Sequence, residues 1–155
     1  MLRHIGVNVR DLVRAKSYYD EFMPFLGYEL HISAADQFAY RPISDEHGSS
    51  VFFYPSLEEA TYSRHQPGLQ HLAFIVDSRD EVHKIHAKAE ALGSEIIHPP
   101  RLFPEYRPYY YATFWLDPEG FMLEVLCLRE ETNGYGSILV GPKFGNWRPW
   151  LPASG

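Results

Sequence analysis

The sequence predicts an α+β fold made of two βαβββ modules. Three observations carry that reading: an internal repeat, a helical period after the first strand of each copy, and short strand-like runs through the rest of each half. "LRHIGVNVRD" (residues 2–11) lies over "LQHLAFIVDS" (residues 69–78), with Leu, His, an aliphatic residue and Val at the same offsets. "LGYEL" (residues 26–30) then lies over "LGSEI" (residues 92–96). His4 precedes Gly27 by 23 residues and His71 precedes Gly93 by 22. Two matched landmarks at matched spacing mark one unit written twice.

The elements follow in order. After the first strand, a helix starting near Asp11 places Leu12, Ala15, Tyr19 and Phe22 on one face, and Pro24 ends or kinks it. Strands are expected over residues 28–33, 37–42 and 50–54. In the second half, Ser78 and Glu81 form a capping box, Val82, Ile85, Ala89 and Leu92 share one face, and Gly93 stops the helix. Strands are expected over residues 95–98, 109–116 and 121–128, with "DPEG" (residues 117–120) turning between the last two.

Composition narrows the function. The 155 residues carry a formal net charge of −6 and no block of Lys or Arg, which argues against a nucleic-acid surface. No apolar run is long enough to span a bilayer. The single cysteine, Cys127, excludes an internal disulfide, and the N-terminus moves directly into a strand pattern; the expectation is a cytoplasmic protein. Eleven tyrosines and ten phenylalanines give more aromatic surface than a small core needs, and eight histidines raise the question of which are placed by structure.

Strand alternation answers part of that question. Ile5, Val7 and Val9, and in the second copy Leu72, Phe74 and Val76, form the helix-facing sets. His4 and His71 point the other way, each followed on its own face by a small residue, Gly6 or Ala73, which leaves room beside the imidazole. Across a pseudo-twofold pair the two rings face one another over a cleft. The last strand, "GFMLEVLCL", adds Glu124 among Met122, Leu123, Val125 and Leu126, where an ionised carboxylate is costly unless paired or bound to a cation. Two imidazoles and one carboxylate suit a divalent metal (Zn, Fe, Mn, Ni or Co) with coordination positions left open. The expected ligands are His4, His71 and Glu124.

These residues resemble the vicinal oxygen chelate superfamily, which includes glyoxalase I, fosfomycin resistance enzymes, methylmalonyl-CoA epimerase, extradiol dioxygenases and bleomycin-binding proteins. The resemblance spans both modules, through Leu128. It implies an incomplete mixed β-barrel around a metal cleft with the helices outside. The family's metal histidines fall on His4 and His71, and its glutamate, shortly after an Asp-Pro-Asp/Glu-Gly turn, falls on Glu124 in "DPEGFMLEV". One departure stands out. Glyoxalase I and the epimerase carry a fourth ligand on the last strand of the first module, where this chain has Phe52 or Tyr54. That favours a three-ligand arrangement.

The chain divides into a first module (1–66), a second module (67–128) and a Gly-, Pro- and aromatic-rich extension (129–155) expected on the barrel or on a partner subunit. Homodimers are common in the family and expected here. The stiff, proline-rich segment of residues 98–114 leads back toward Glu124. A simple hairpin turn puts Thr113 opposite Glu124, with Tyr111 and Trp115 on its face. A one-residue bulge at Gly120 puts Phe114, Ala112 and Tyr110 there instead. Both registers stay open. Glu124 and Tyr111 are the candidate catalytic groups; Tyr110, Phe52, Tyr54, Arg107 and Trp115 are candidate substrate contacts. Surface or capping roles are expected for His31, His47, His65, His83, His86 and His98, with His65 also a possible substrate contact. Two functions compete: a metal-dependent enzyme on a small oxygenated molecule held by two of its oxygens (lyase, isomerase, transferase or oxygenase), and a non-catalytic small-molecule binding or resistance protein of the same fold.

Overall fold

A computed structural model describes residues 2–44 and 48–129, so His47 and all but the first residue of the 129–155 extension lie outside the described residues. The first half runs β1 (His4–Val9), α1 (Leu12–Phe22), a 3-10 turn (Met23–Leu26), β2 (Tyr28–Ser33), β3 (Phe38–Pro42) and β4 (Ser50–Pro55). The second runs β5 (His71–Ile75), α2 (Arg79–Ala91), β6 (Glu95–Leu102), β7 (Tyr111–Leu116) and β8 (Met122–Cys127). Each half folds its strands into one four-stranded mixed sheet, ordered β1-β4-β3-β2 and β5-β8-β7-β6. The sheets do not close into a barrel.

Local chemistry sets the helix ends. Asp11 caps α1 by accepting from the Arg14 amide at 2.9 Å. The helix gives way at Pro24 to the 3-10 turn, which Gly27 ends at a φ of 74°. Ser78 caps α2 by accepting from the Glu81 amide at 3.2 Å, and the Glu81 carboxylate reaches back to the Asp77 amide at 3.0 Å.

The helix-facing sides of both sheets share a single core. Val7, Val9 and Phe53 meet Ala15, Tyr19 and Phe22 of α1, and the same cluster contains Leu72, Phe74, Val82, Ile85, Trp115 and Leu123. Polar contacts stitch the halves along this seam. The Trp115 indole donates to the Tyr18 hydroxyl at 2.9 Å, and the Tyr19 hydroxyl donates to Asp117 at 2.7 Å. Arg10 donates through its backbone amide and its Nε to buried Glu119, both at 3.0 Å.

The opposite face of the second sheet holds a smaller cluster of Phe103, Ala112, Phe114, Met122 and Leu126, with Tyr106 and Tyr110 packed against it. Phe103 donates to the Tyr110 carbonyl at 2.7 Å and accepts from the Tyr106 amide at 3.1 Å, so the segment from Phe103 to Tyr110 closes on itself over that face.

Strand β6 runs further than the sequence suggests, continuing through Pro99 and Pro100. It is an edge strand, where missing amide donors are tolerated, and the pairing with β7 slips on either side of His98. The β7–β8 connection settles the register. Gly120 takes a φ of 90° and donates to the Asp117 carbonyl at 3.0 Å, while the Asp117 carboxylate accepts from the Glu119 and Phe121 amides at 2.9 and 2.8 Å. The bulged alternative is realised: Phe114, not Thr113, lies opposite Glu124.

Candidate functional site

Glu124 is the organising group. Its strand is buried on both faces and its residue is only 1% exposed. On β5, Ala73 pairs with it, so the small side chain leaves the carboxylate room, and His71, one step back on the same face, turns its ring toward it. His71 Nε2 lies 3.1 Å from Glu124 Oε2. Tyr110 donates its hydroxyl to the other oxygen, Oε1, at 2.6 Å. Burial, reinforced by that bond and by the Glu124 charge, pushes the Tyr110 phenol well above its ordinary range, so Tyr110 is a donor at neutral pH and not a base. Tyr106 is raised in the same way, first by burial and then by Glu124.

The second nitrogen of His71, Nδ1, is held by the Gln70 side-chain oxygen. In the neutral tautomer that donates from Nδ1, Nε2 presents its lone pair to the carboxylate. A lone pair facing an ionised oxygen is repulsive unless a cation stands between them. The spacing fits one: bonds of about 2.1 Å at roughly 90–110° hold neighbouring ligands about 3.0–3.4 Å apart. A proton satisfies the same pair as an ordinary hydrogen bond.

His4 is not part of this group. It is exposed on the open face of the first sheet, its ring 5.3 Å from that of Phe52. Among the described residues no three His, Cys, Asp or Glu side chains are placed to hold a metal ion. The helix-side core explains the separation, because it joins the two sheets through their other faces and leaves the histidine-bearing faces apart. Phe52 and Tyr54 stack with ring centroids 6.2 Å apart and planes within 12°, and Tyr54 fills the space beside Gly6, where an added Cβ would lie 3.4 Å from its ring.

The bulge at Gly120 sends two expected site residues to the helix side. Tyr111 packs against α2, its hydroxyl 2.8 Å from His83 Nε2 and its ring 4.6 Å from the Arg79 guanidinium carbon. Trp115 is fully buried in the shared core. Arg107 stays near the site, half-buried in the loop beneath Tyr110, its carbonyl accepting from the Tyr110 amide at 3.4 Å. His65 is exposed.

Sequence reasoning passed over Gln70 and gave His98 only a surface or capping role. His98 pairs with Phe114, which pairs with Glu124, so all three lie in one row on one face. The signal was present in the bulged register, which fixes this row once Gly120 is read as a positive-φ position.

Comparison with known proteins agrees with the architecture. The sequence model of the Glyoxalase/Bleomycin resistance protein/Dioxygenase superfamily matches residues 1–125. A candidate glyoxalase from Bacillus halodurans is similar at 27% identity and a TM-score of 0.68, over 82% of this chain and 95% of that one. A glyoxalase/bleomycin resistance protein from Albidiferax ferrireducens T118 is similar at 22% identity and 0.65, over 82% and 98%. A fosfomycin resistance protein from Listeria monocytogenes is similar at 22% identity and 0.58, over 82% and 92%. No curated protein matches the sequence. The chain belongs to the glyoxalase/bleomycin resistance protein/dioxygenase superfamily.

Proposed function

We propose that the protein is a divalent-metal-dependent enzyme that acts on a small oxygenated molecule held through two of its oxygens. The observation that carries the reading is the pair formed by the His71 imidazole and the buried Glu124 carboxylate, 3.1 Å apart, with the Gln70 side chain on the far ring nitrogen and Tyr110 on the far oxygen. Such prior fixing of ligand orientation raises metal affinity. His71, Glu124 and His4 would be the protein ligands, and the bound cation supplies Lewis acidity to the substrate oxygens.

His4 joins that set from a second copy of the chain. Each copy offers one half of the site, His4 with Phe52 and Tyr54 on the exposed face of one sheet, and on the other the partly exposed His71 beside the buried Glu124. A two-fold dimer that apposes unlike faces makes two complete sites. The residues then divide the work. Tyr110 aims the carboxylate, Gln70 sets the His71 tautomer, and the stacked Phe52–Tyr54 pair walls the substrate in.

The non-catalytic reading rests on that aromatic pair, which suits a planar ligand. It leaves unexplained a carboxylate that is almost wholly buried against an imidazole, so it ranks second.

Elemental analysis of the purified protein tests the reading. About one divalent ion per chain is expected, lost in His71→Ala. Stoichiometric metal in a His4→Ala, His71→Ala, Glu124→Ala triple variant would end it.

A further inference from the structure

We propose that the turn over residues 107–110 is a two-state switch, in which a flip of the peptide between Pro108 and Tyr109 delivers the Tyr110 hydroxyl to Glu124 or withdraws it. The switch itself rests on the turn; its consequence for the site rests on the reading of Glu124 as a metal ligand.

Two tight turns stand back to back between β6 and β7. Tyr106 donates its amide to the Phe103 carbonyl at 3.1 Å, and Tyr110 donates to the Arg107 carbonyl at 3.4 Å, each three residues back. A proline holds the second position of both, Pro104 in the first and Pro108 in the second. The Pro108 ring fixes its own φ near about −65°. Tyr109, third in its turn, has a φ of 63°. Proline followed by a positive φ makes a type II turn, whose third position calls for glycine or asparagine. Among the described residues Tyr109 is the only one besides glycine with a positive φ. Its Cβ crowds the backbone there, so the turn is strained.

Relief is one peptide flip away. Turning the 108–109 peptide over converts type II to type I, which leaves Pro108 at its own φ and returns Tyr109 to a negative one. Left to itself, a Pro-Tyr turn favours that relaxed form. Contacts from outside the turn hold the strained one. The Tyr110 hydroxyl donates to Glu124 Oε1 at 2.6 Å, and the Tyr110 carbonyl accepts from the Phe103 amide at 2.7 Å. The Tyr110 ring also meets Tyr106 edge-on, with centroids 5.3 Å apart. Strain of this kind persists only where its surroundings over-determine it, and it marks elements with two states. Glu124 is one of those surroundings, so the carboxylate and the turn are linked. The strained turn aims the carboxylate through Tyr110, and the relaxed turn lets it go. A cation that needs the aimed carboxylate therefore selects the strained turn.

Relaxation-dispersion NMR of the isotope-labelled full chain, first without metal, tests the switch. Wild type should show microsecond-to-millisecond exchange at the Tyr109 and Tyr110 amides and none at Thr113 or Trp115 in β7. Tyr109→Gly, at ease with a positive φ, should lower the flipped population about fivefold or more. Tyr110→Phe should raise it several-fold, as loss of a charge-assisted bond requires. Tyr109→Ala loses the ring but keeps the backbone penalty, so it should exchange much as wild type does. A wild-type turn without exchange, or an alanine variant that behaves as the glycine one, overturns the switch. Zn(II) is then added to wild type, where it should suppress the exchange. Zn(II) that binds and leaves the exchange unchanged overturns the link to the site. Absence of Zn(II) binding, with the metal-free exchange and its response to the variants intact, sinks the metal reading and leaves the switch standing.

Discussion

The Glu124 carboxylate is shared between His71, at 3.1 Å from one oxygen, and Tyr110, at 2.6 Å from the other. Glu124 is almost fully buried while His71 keeps about a third of its side chain exposed, so the pair opens to one side only. A charge buried this way is a cost to the empty protein and an asset once a cation arrives. Adding Zn(II) should therefore stabilise the wild type by about 2.7 kcal/mol at a free concentration one hundred times Kd. Glu124→Gln should show no such gain, yet match or exceed the metal-free wild type, because a neutral amide still accepts from Tyr110 without the ionic penalty. Thermal melts with and without Zn(II) decide this; an equal metal-induced rise in both proteins would place the cation elsewhere.

The proposed sharing of the site between two copies makes a distinctive prediction. His4→Ala and Glu124→Ala chains should each fail to hold metal alone. When the two are unfolded together and refolded, mixed dimers should recover one ion per dimer, since one of their two sites then receives intact ligands from both chains. If all three ligands came from a single chain, no mixture would recover any. Native mass spectrometry of the refolded mixture separates the two outcomes.

The adjacent tyrosines 110 and 111 should behave oppositely. Tyr110→Phe removes the donor that orients Glu124 and should reduce metal affinity about tenfold with little change in fold. Tyr111→Phe lies under α2, touching His83 and Arg79, and should leave metal affinity unchanged. Titration with a chromophoric chelator as competitor measures both. Reversal of the order would mean that the strand runs in the other register.

That register is where reading the sequence reached its limit. The repeat, the helix faces and the caps at Asp11 and Ser78 were legible because short-range periodicity and local hydrogen bonds fix them. Val7, Val9, Leu72 and Phe74 went inward as alternation requires. Whether Tyr110 or Tyr111 met Glu124 turned on one backbone angle at Gly120, and a four-residue turn and a bulged one use the same letters. That His4 stands apart from the other two candidates within one chain was beyond sequence for a different reason. A repeat states that two modules are alike, but which of their faces meet is decided by side chains such as Tyr18, Trp115, Tyr19 and Asp117, contributed by both halves. His98 was hidden by Pro99 and Pro100, which read as a loop and turned out to sit on a sheet edge.

Asp117 links the site-bearing turn to the first module, and its titration can be followed. One oxygen accepts from the Glu119 and Phe121 amides and the other from the buried Tyr19 hydroxyl. Burial raises the Asp117 pKa above its ordinary value, an effect that those three hydrogen bonds oppose and the Glu119 charge reinforces. The folded protein therefore binds the proton more tightly than the unfolded chain, and stability falls with pH wherever only the folded state is protonated. The contribution of Asp117 is fully present below the unfolded pKa near 3.8 and is lost as pH rises through the folded value. Asp117→Asn lacks this titration, so its stability relative to wild type should improve across that window and then hold level. Asp117→Ala, which strands the Tyr19 hydroxyl and two amides, should cost about 3 kcal/mol or more at neutral pH. Urea denaturation of the three proteins from pH 4 to 8 measures both effects, and a wild type that gains on Asp117→Asn as pH rises would show that the hydrogen bonds outweigh the burial.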